Sequence, residues 1–241
     1  REQLFEEMKS RIKETDETVP EKIGDYLYYR RSGAGKQYPI YCRVKDEPNA
    51  PEEILLDQNA LAEGSEFCSI SAFSVSPDQT KLAYSVDMEG AEVYTIHVKD
   101  LVSGSLHPEA IHRTFGSVYL SGGAEWANDN KTLFYLTLDE FHRADKVFRH
   151  TLGTDPSQDV LIFEEKDDTF SLSLFKTRSE KLIMTYHYNT VSQEMRFIST
   201  DEPEAELTVL QPREHNHEYY ATHHGDSFFI ITNDKAPNFR L

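Results

Sequence analysis

A polar turn leads directly into an apolar run at Ser76-Pro77-Asp78-Gln79-Thr80-Lys81-Leu82-Ala83-Tyr84. The same order of residues returns at Ala127-Asn128-Asp129-Asn130-Lys131-Thr132-Leu133-Phe134-Tyr135, and weaker copies begin at Arg178 and His223. Tyr26, which follows Gly24-Asp25, fits as an earlier copy. A recurring turn of this kind indicates that one structural unit is repeated along the chain.

The spacing of the copies indicates the kind of repeat. The first apolar residues after the turns are 51, 49 and 46 residues apart, at Leu82, Leu133, Leu182 and Phe228. A period near 50 residues with several strands per unit is typical of β-propeller blades. We expect each unit to open with the polar turn, followed by an inner strand, a hairpin and an outer strand. At roughly 50 residues per blade, the chain holds about four to five blades.

From Gly24 onward the sequence alternates as β-strands do. Strand-length runs rich in Tyr, Phe, Val, Ile and Thr occur at 25–31, 81–86, 94–98, 132–138, 147–151, 181–186, 195–199 and 227–232. No convincing helix intervenes, which disfavours parallel α/β folds. A β-sandwich also alternates, but at shorter spacing and without one recurring turn. The sequence therefore predicts an all-β chain: a partial β-propeller with a short N-terminal helix.

That helix is predicted over residues 2–13. Four large apolar residues fall on one face at helical spacing: Leu4, Phe5, Met8 and Ile12. Two interpretations stay open, a connecting arm that docks on another domain or a surface helix packed on its own domain. We expect a helix and connecting arm over 1–20 and the partial propeller over 21–241. The two ends of the sequence lead us to expect a piece of a longer protein.

The charge balance limits the classes of partner. The 241 residues include 25 Lys and Arg against 42 Asp and Glu, a net charge of −17. We therefore expect no nucleic-acid partner and no membrane partner, because phosphate binding needs a basic face. An acidic chain permits a cationic partner or substrate, although many proteins are acidic for solubility alone.

Cysteine usage and apolar runs favour a cytoplasmic location. Cys42 and Cys68 are too few for a disulfide framework, and the N-terminus has no secretory apolar segment. The strongest apolar run, at 228–231, is far shorter than a membrane span of about 20 residues.

A search for a catalytic nucleophile finds none. A serine nucleophile of the α/β-hydrolase class needs Gly-x-Ser-x-Gly at a strand-to-helix turn. Ser227 is followed by Phe228-Phe229 instead of the second glycine, and Ser121 has Tyr119 in place of the first. Both serines are interpreted as turn residues.

The histidine-rich segment is the candidate metal site. His215 and His217, beside Glu214 and Glu218, would share one face of a strand, with His223 and His224 close by. No Cys pair or His-Glu-x-x-His accompanies them, and the segment is interpreted as an inter-blade turn with solvated histidines.

Two further segments are interpreted as turns or loops. Gly33-Ala34-Gly35-Lys36 is too short for a phosphate-binding loop and predicts a hairpin turn between strands at 26–31 and 38–44. The charge run 164–168 is interpreted as a solvated loop rather than a calcium-binding or peptide-contact loop. We assign no catalytic, cofactor-binding or metal-binding residue and expect no cofactor.

Longer segments resemble the prolyl oligopeptidase family of serine peptidases, within it oligopeptidase B. The two motifs most specific to that family are Arg149-His150-Thr151-Leu152-Gly153-Thr154-Asp155 and Asn233-Asp234-Lys235-Ala236-Pro237-Asn238-Phe239. Further similar segments run through 26–43, 76–101 and 159–167. The resemblance therefore extends almost from end to end of the chain.

The resemblance implies a seven-bladed propeller that caps an α/β-hydrolase domain, in enzymes that cleave short peptides after basic residues. Their Ser-Asp-His triad would lie downstream of Leu241, so no catalytic role falls on any residue of this chain. The expected function is that of a noncatalytic N-terminal propeller, a lid and size filter over its own catalytic domain, with short basic peptides as the substrates of the full enzyme. The alternative is a free-standing propeller that binds protein partners.

Overall fold

Antiparallel strands make up most of the regular secondary structure in the computed structural model, which describes residues 1–116 and 123–241. The chain divides into two compact units, Arg1–Cys68 and Ser69–Leu241. The helices are short: α1 spans Glu2–Ser10, α2 spans Gln58–Leu61 and a 3₁₀ turn spans Pro156–Gln158. The predicted all-β class with a short N-terminal helix is confirmed. Within the described ranges, no helix has both the length and the apolar character needed to cross a bilayer.

The N-terminal helix forms where the sequence predicts it but ends at Ser10 rather than at residue 13. The amides of Arg11 and Ile12 donate to the carbonyl oxygens of Met8 and Lys9, three residues back. This i→i−3 pattern tightens the last turn and ends the helix.

The first unit holds one antiparallel sheet whose strands pair in chain order: β1 (Glu21–Ile23), β2 (Tyr26–Arg31), β3 (Ile40–Lys45) and β4 (Glu52–Asp57). The glycine segment is the turn between β2 and β3, where the amide of Lys36 donates to the carbonyl oxygen of Gly33 at 3.0 Å. The predicted hairpin is therefore confirmed. The Asp57 carboxylate accepts hydrogen bonds from the amides of Asn59 and Ala60, which starts α2 directly after β4.

The second unit repeats this four-stranded pattern. Its strands are β5 (Ser69–Val75), β6 (Lys81–Asp87), β7 (Tyr94–Asp100), β8 (Leu106–Thr114), β9 (Ala124–Trp126), β10 (Thr132–Leu138), β11 (Ala144–Thr151), β12 (Val160–Glu164), β13 (Ser171–Lys176), β14 (Leu182–Tyr188), β15 (Gln193–Ser199), β16 (Thr208–Gln211), β17 (Tyr219–His224) and β18 (Ser227–Thr232). Within each of the groups β5–β8, β9–β12 and β13–β16 the strands pair antiparallel in chain order, and β17 pairs with β18. The first two groups are also joined by one pairing, between Thr114 of β8 and Thr137 of β10. An isolated bridge also pairs Thr232 with Arg240. With the sheet of the first unit, this confirms about four to five blades.

The position of the recurring turn within each unit differs from the expectation. Turn 76–80 lies between β5 and β6, and the later copies lie between β9 and β10, β13 and β14, and β17 and β18. Each unit therefore has a strand before the turn, and the expectation that the unit opens with the turn is wrong. These first strands are hard to see in the sequence because β9 has three residues and serines interrupt β5 and β13.

Successive sheets of the second unit stack face to face. Leu133 of β10 packs in one cluster with Ile96 and Trp126, whereas its neighbour Phe134 packs in another with Leu172. Adjacent residues of a strand point to opposite faces, so β10 is covered on both sides. This explains why six of its seven residues are buried and why its sequence is nearly all apolar.

Candidate functional site

Strand direction gives the second unit two chemically distinct ends. The connections from one sheet to the next, 164–170 and 212–218, lie at the same end as the turns between second and third strands, 88–93, 139–143 and 189–192. We call this the connection end. The turns between first and second strands, and between third and fourth strands, lie at the opposite end.

Each turn at the connection end begins with a side chain that organises it. The Asp87 carboxylate accepts hydrogen bonds from the amides of Glu89, Gly90 and Glu92, at 2.8 to 3.0 Å. The Asn189 side-chain oxygen plays the same role for the amides of Val191 and Ser192 in the turn two sheets on. These bonds are of the kind that fixes turns headed by Asp or Asn.

Asp139 heads the turn between these two. Its carboxylate accepts from the amides of Phe141 and Arg143, at 2.8 and 2.9 Å, and from the Arg143 guanidinium. The three positions, Asp87, Asp139 and Asn189, are 52 and 50 residues apart. These residues are not among the candidates predicted from the sequence, although their interval matches the repeat and could have revealed them.

A second layer of contacts anchors the 139–143 turn to the next connection. The guanidinium of Arg143 donates to the carbonyl oxygens of Asp167 and Phe170, at 3.0 and 2.6 Å. Side chain and backbone therefore hold the turn and the 164–170 connection in one arrangement.

The charge run 164–168 contains a buried carboxylate. Glu165 is 5% exposed. Its Oε2 accepts from Arg213 Nη2 at 2.5 Å, and its Oε1 accepts from the Asp167 amide at 3.1 Å. Hydrogen bonds from His187 and Arg213 outweigh the effect of burial and lower the pKa of Glu165 to about 2. The expectation of a solvated loop is therefore wrong for Glu165, because an arginine from a later connection pairs with it.

His187 packs beside this ion pair as a neutral ring. It is fully buried, with Nδ1 3.4 Å from Glu165 Oε2 and Nε2 2.8 Å from Thr185 Oγ1. Burial is the largest influence on its pKa and lowers it. The ring also meets Phe163 edge-on, with 4.5 Å between centroids.

Glu194 and Arg196 complete the cluster. The Arg196 guanidinium donates to Glu194 at 2.8 Å, and the amide of Arg213 donates to the same carboxylate at 3.2 Å. With Glu165 and Arg213 this makes two carboxylates facing two guanidinium groups, so their charges balance. A balanced, hydrogen-bonded cluster of this kind is suited to bracing the connections.

The predicted histidine site separates into two places. His215 and His217 lie in the 212–218 connection, which confirms the inter-blade turn, whereas His223 and His224 lie at the far end of β17. His217 Nε2 lies 2.9 Å from Thr232 Oγ1, and His223 Nδ1 lies 2.7 Å from Ser179 Oγ. Across 1–116 and 123–241, no group of three or more His, Cys, Asp or Glu side chains is placed to hold a metal ion.

The serine candidates also lack an active-site setting. Ser227 begins β18 after the two-residue turn Gly225-Asp226, so it lies in a hairpin and not at a strand-to-helix turn. Ser121 lies outside the residues that the structure describes. Cys42 and Cys68 are buried and are not joined in a disulfide, and burial raises the pKa of Cys42 to about 11.

A cleft of about 600 Å³ opens at the connection end, between the 212–218 connection and the turn after β18. Leu210, Tyr219 and Ile230 are its apolar lining, and Glu214 and Asp234 are among the polar residues around it.

In the first unit, the apolar face of α1 is uncovered. No residue of α1 is buried. The predicted apolar face is 61 to 69% exposed at each of its members, Leu4, Phe5, Met8 and Ile12. Residues 1–68 therefore provide no covering surface for this apolar face.

Comparison with known proteins gives a consistent result. The sequence profile of the family described as prolyl oligopeptidase, N-terminal beta-propeller domain, matches residues 1–241. Protease 2 of Moraxella lacunata is 37% identical, and the aligned region covers 100% of this chain and 35% of Protease 2. Dipeptidyl aminopeptidase BI of Pseudoxanthomonas mexicana is also 37% identical, over 99% of this chain and 34% of its own.

Solved structures agree with the sequence comparison. Oligopeptidase B from Leishmania major matches with a TM-score of 0.89 and 33% identity, over 98% of this chain and 33% of that one. The chain spans about a third of the length of the curated relatives it matches. The resemblance found in the sequence is confirmed, and the chain belongs to the prolyl oligopeptidase family as its N-terminal β-propeller domain.

Proposed function

We propose that this chain is the noncatalytic lid of an oligopeptidase B-like serine peptidase. In this proposal the propeller, over 21–241, covers an α/β-hydrolase domain of the same polypeptide, and residues 1–20 form the connecting arm. The lid admits short peptides, which the covered domain cleaves after Arg or Lys. The single observation that carries the proposal is the uncovered apolar face of α1.

That face calls for a partner on physical grounds. α1 has nine residues, fewer than the roughly 12 to 15 at which an isolated helix becomes even marginally stable in water. Burying a Leu, Phe or Met side chain contributes about 1.5 to 3 kcal/mol. An apolar helix face with no covering surface in its own unit is best explained by docking on another domain.

The even number of strands in each sheet, which we call strand parity, supports a partner at the connection end. A chain that enters a four-stranded antiparallel sheet at one end leaves it at the same end, because the number of strands is even. β13 starts and β16 ends at the connection end, and the same holds for β9 and β12. A domain joined to a propeller of such sheets is therefore brought to this end.

The lid acts through exclusion and motion rather than through chemistry. The nucleophile, the base and the oxyanion hole belong to the covered domain in this proposal. A closed propeller keeps folded proteins away, and short peptides enter when the two domains separate about a hinge. The braced cluster around Glu165 and Arg213 lets the connection end move as one body.

The net charge of −17 supports cationic peptides as substrates, since an acidic protein attracts them over distance. The relatives carry different names, a protease and a dipeptidyl aminopeptidase, at the same 37% identity. Cleavage after Arg or Lys therefore rests on the likeness to oligopeptidase B. Cys42 and Cys68 are not joined in a disulfide, which fits a cytoplasmic location.

The natural polypeptide provides the first test. We expect the coding sequence beyond Leu241 to contain Gly-x-Ser-x-Gly, then Asp, then His. A stop codon after two further four-stranded units would support the alternative, a propeller that binds protein partners.

Activity provides the second test. The complete polypeptide should cleave a dibasic fluorogenic peptide and spare the same sequence placed inside a folded protein. A peptide of equal length with Glu at both basic positions is the matched control. Equal cleavage of the peptide and the folded protein would exclude a size filter, and equal cleavage of the control would exclude basic specificity.

A further inference from the structure

We propose that Phe141 is the apolar anchor by which the connection end docks on the catalytic domain of the same polypeptide. The inference rests on the proposed function and adds the residue that makes the contact. The Phe141 side chain is 83% exposed at the tip of the 139–143 turn. Val191, two residues after the Asn that heads the next turn, is 38% exposed at the same end.

The backbone beneath the ring is fixed before any partner arrives. The Asp139 carboxylate accepts from the amide of Phe141 itself, at 2.8 Å, and the amide of Asp139 donates to the Arg143 carbonyl oxygen at 2.9 Å. Arg143 then ties the turn to the 164–170 connection. An aromatic side chain on a fixed turn loses little conformational freedom on binding, because only two side-chain torsions must be ordered.

A docked domain is the occupant that the surroundings favour. Phe141 projects from the end to which strand parity brings a joined domain, and the matched relatives have about two thirds of their length outside the aligned region. Buried aromatic residues at the centre of an interface carry much of its binding energy. The exposed Phe141 ring, on a turn fixed by hydrogen bonds, becomes such a buried residue when a docked domain covers it.

The test uses the complete polypeptide and three variants. Phe141→Ser removes the ring, Phe141→Leu keeps an apolar side chain, and Val102→Ser is the matched control. Val102 is 84% exposed, as much as Phe141, but lies in the turn after β7 at the opposite end. Small-angle scattering gives the fraction of molecules with separated domains, and limited proteolysis gives the rate at which the domains are cut apart.

We expect Phe141→Ser to shift the balance toward separated domains by about 30-fold, which corresponds to roughly 2 kcal/mol. Phe141→Leu should shift this balance much less, and Val102→Ser should leave it as in the unaltered protein. The thermal midpoint of the isolated 241-residue chain should be unchanged by Phe141→Ser, because an exposed ring adds little to its folding.

Three results would overturn the proposal. If Phe141→Ser separates the domains no more than Val102→Ser does, the ring is not an anchor, although the lid function stands. If Phe141→Ser raises KM for peptides without changing domain separation, the ring contacts substrate instead. If the polypeptide has no hydrolase domain, the lid function and the anchor fail together.

Discussion

Arg213 holds Glu165 at two points, with Nη2 2.5 Å from Oε2 and Nη1 3.3 Å from Oε1. The two residues belong to different sheet-to-sheet connections, 212–218 and 164–170. The ion pair therefore ties the chain entering the β13–β16 sheet to the chain leaving it. Arg213 also lies over the ring of Phe170, 4.0 Å from its centroid, in a cation–π contact.

Removing this arginine should destabilise the chain strongly. Arg213→Ala leaves the buried Glu165 carboxylate without its cation, and we expect a loss of about 3 to 5 kcal/mol in the free energy of unfolding. Arg240→Ala is the matched control, since its pair with Asp234 is about half exposed and should contribute at most about 1 kcal/mol. Urea unfolding of both variants measures the difference. Equal losses would contradict the bracing role of Arg213.

The strands that the sequence predicts well are those whose pattern is local. The run predicted at 132–138 is β10, and the run at 227–232 is β18, with the same bounds. Both follow a polar turn and are rich in β-branched and aromatic residues. β5 and β13 were missed because their serines are neither strongly apolar nor typical of strands, and stacking against neighbouring sheets decides their structure.

The site was harder to predict because it depends on contacts distant in sequence. The burial of Glu165 requires Arg213, 48 residues further on, and nothing in the acidic run itself indicates that pairing. The turn-heading residues Asp87, Asp139 and Asn189 are different, since their spacing follows the repeat. A search for Asp or Asn at the repeat interval would have found them from the sequence.

Glu125 should make stability depend on pH in the neutral range. It lies on β9, where Ser74 Oγ donates to its carboxylate at 3.3 Å and the Lys176 side chain lies nearby. Burial raises the pKa of Glu125 from 4.5 to about 7. The folded chain thus binds this proton more tightly than the unfolded chain. The resulting stability is complete below pH 4.5 and is lost as the pH rises through 7.

Glu125→Gln should therefore stabilise the chain at pH 8, by up to about 3 kcal/mol, and change little at pH 4. The amide keeps the size of the side chain and cannot ionise. Exposed Glu202→Gln is the matched control for replacing a carboxylate by an amide. Thermal unfolding between pH 4 and pH 8 measures the effect. A Glu125→Gln profile parallel to that of the unaltered chain would show that Glu125 does not titrate in this range.

The 241-residue chain should be inactive alone. We expect no hydrolysis of a dibasic fluorogenic peptide, because catalysis of this class needs a nucleophile, a base and an oxyanion hole held together. Ser227 lies in a hairpin beside His224, which is no such arrangement. Turnover that survives purification and disappears in Ser227→Ala or Ser121→Ala would contradict this prediction.

The isolated chain should self-associate through the free edge of β18. Among the described strands, β18 pairs with β17 on one side, and on the other side only Thr232 is bridged, to Arg240. Phe229 and Ile231 are 45% and 49% exposed, and no charged residue lies in the strand. An uncharged, unpaired apolar edge is a template for another strand. Light scattering after size-exclusion chromatography should show a mass that rises with concentration, and Ile231→Lys should suppress the rise. A monomer of constant mass at all concentrations would show that this edge is protected.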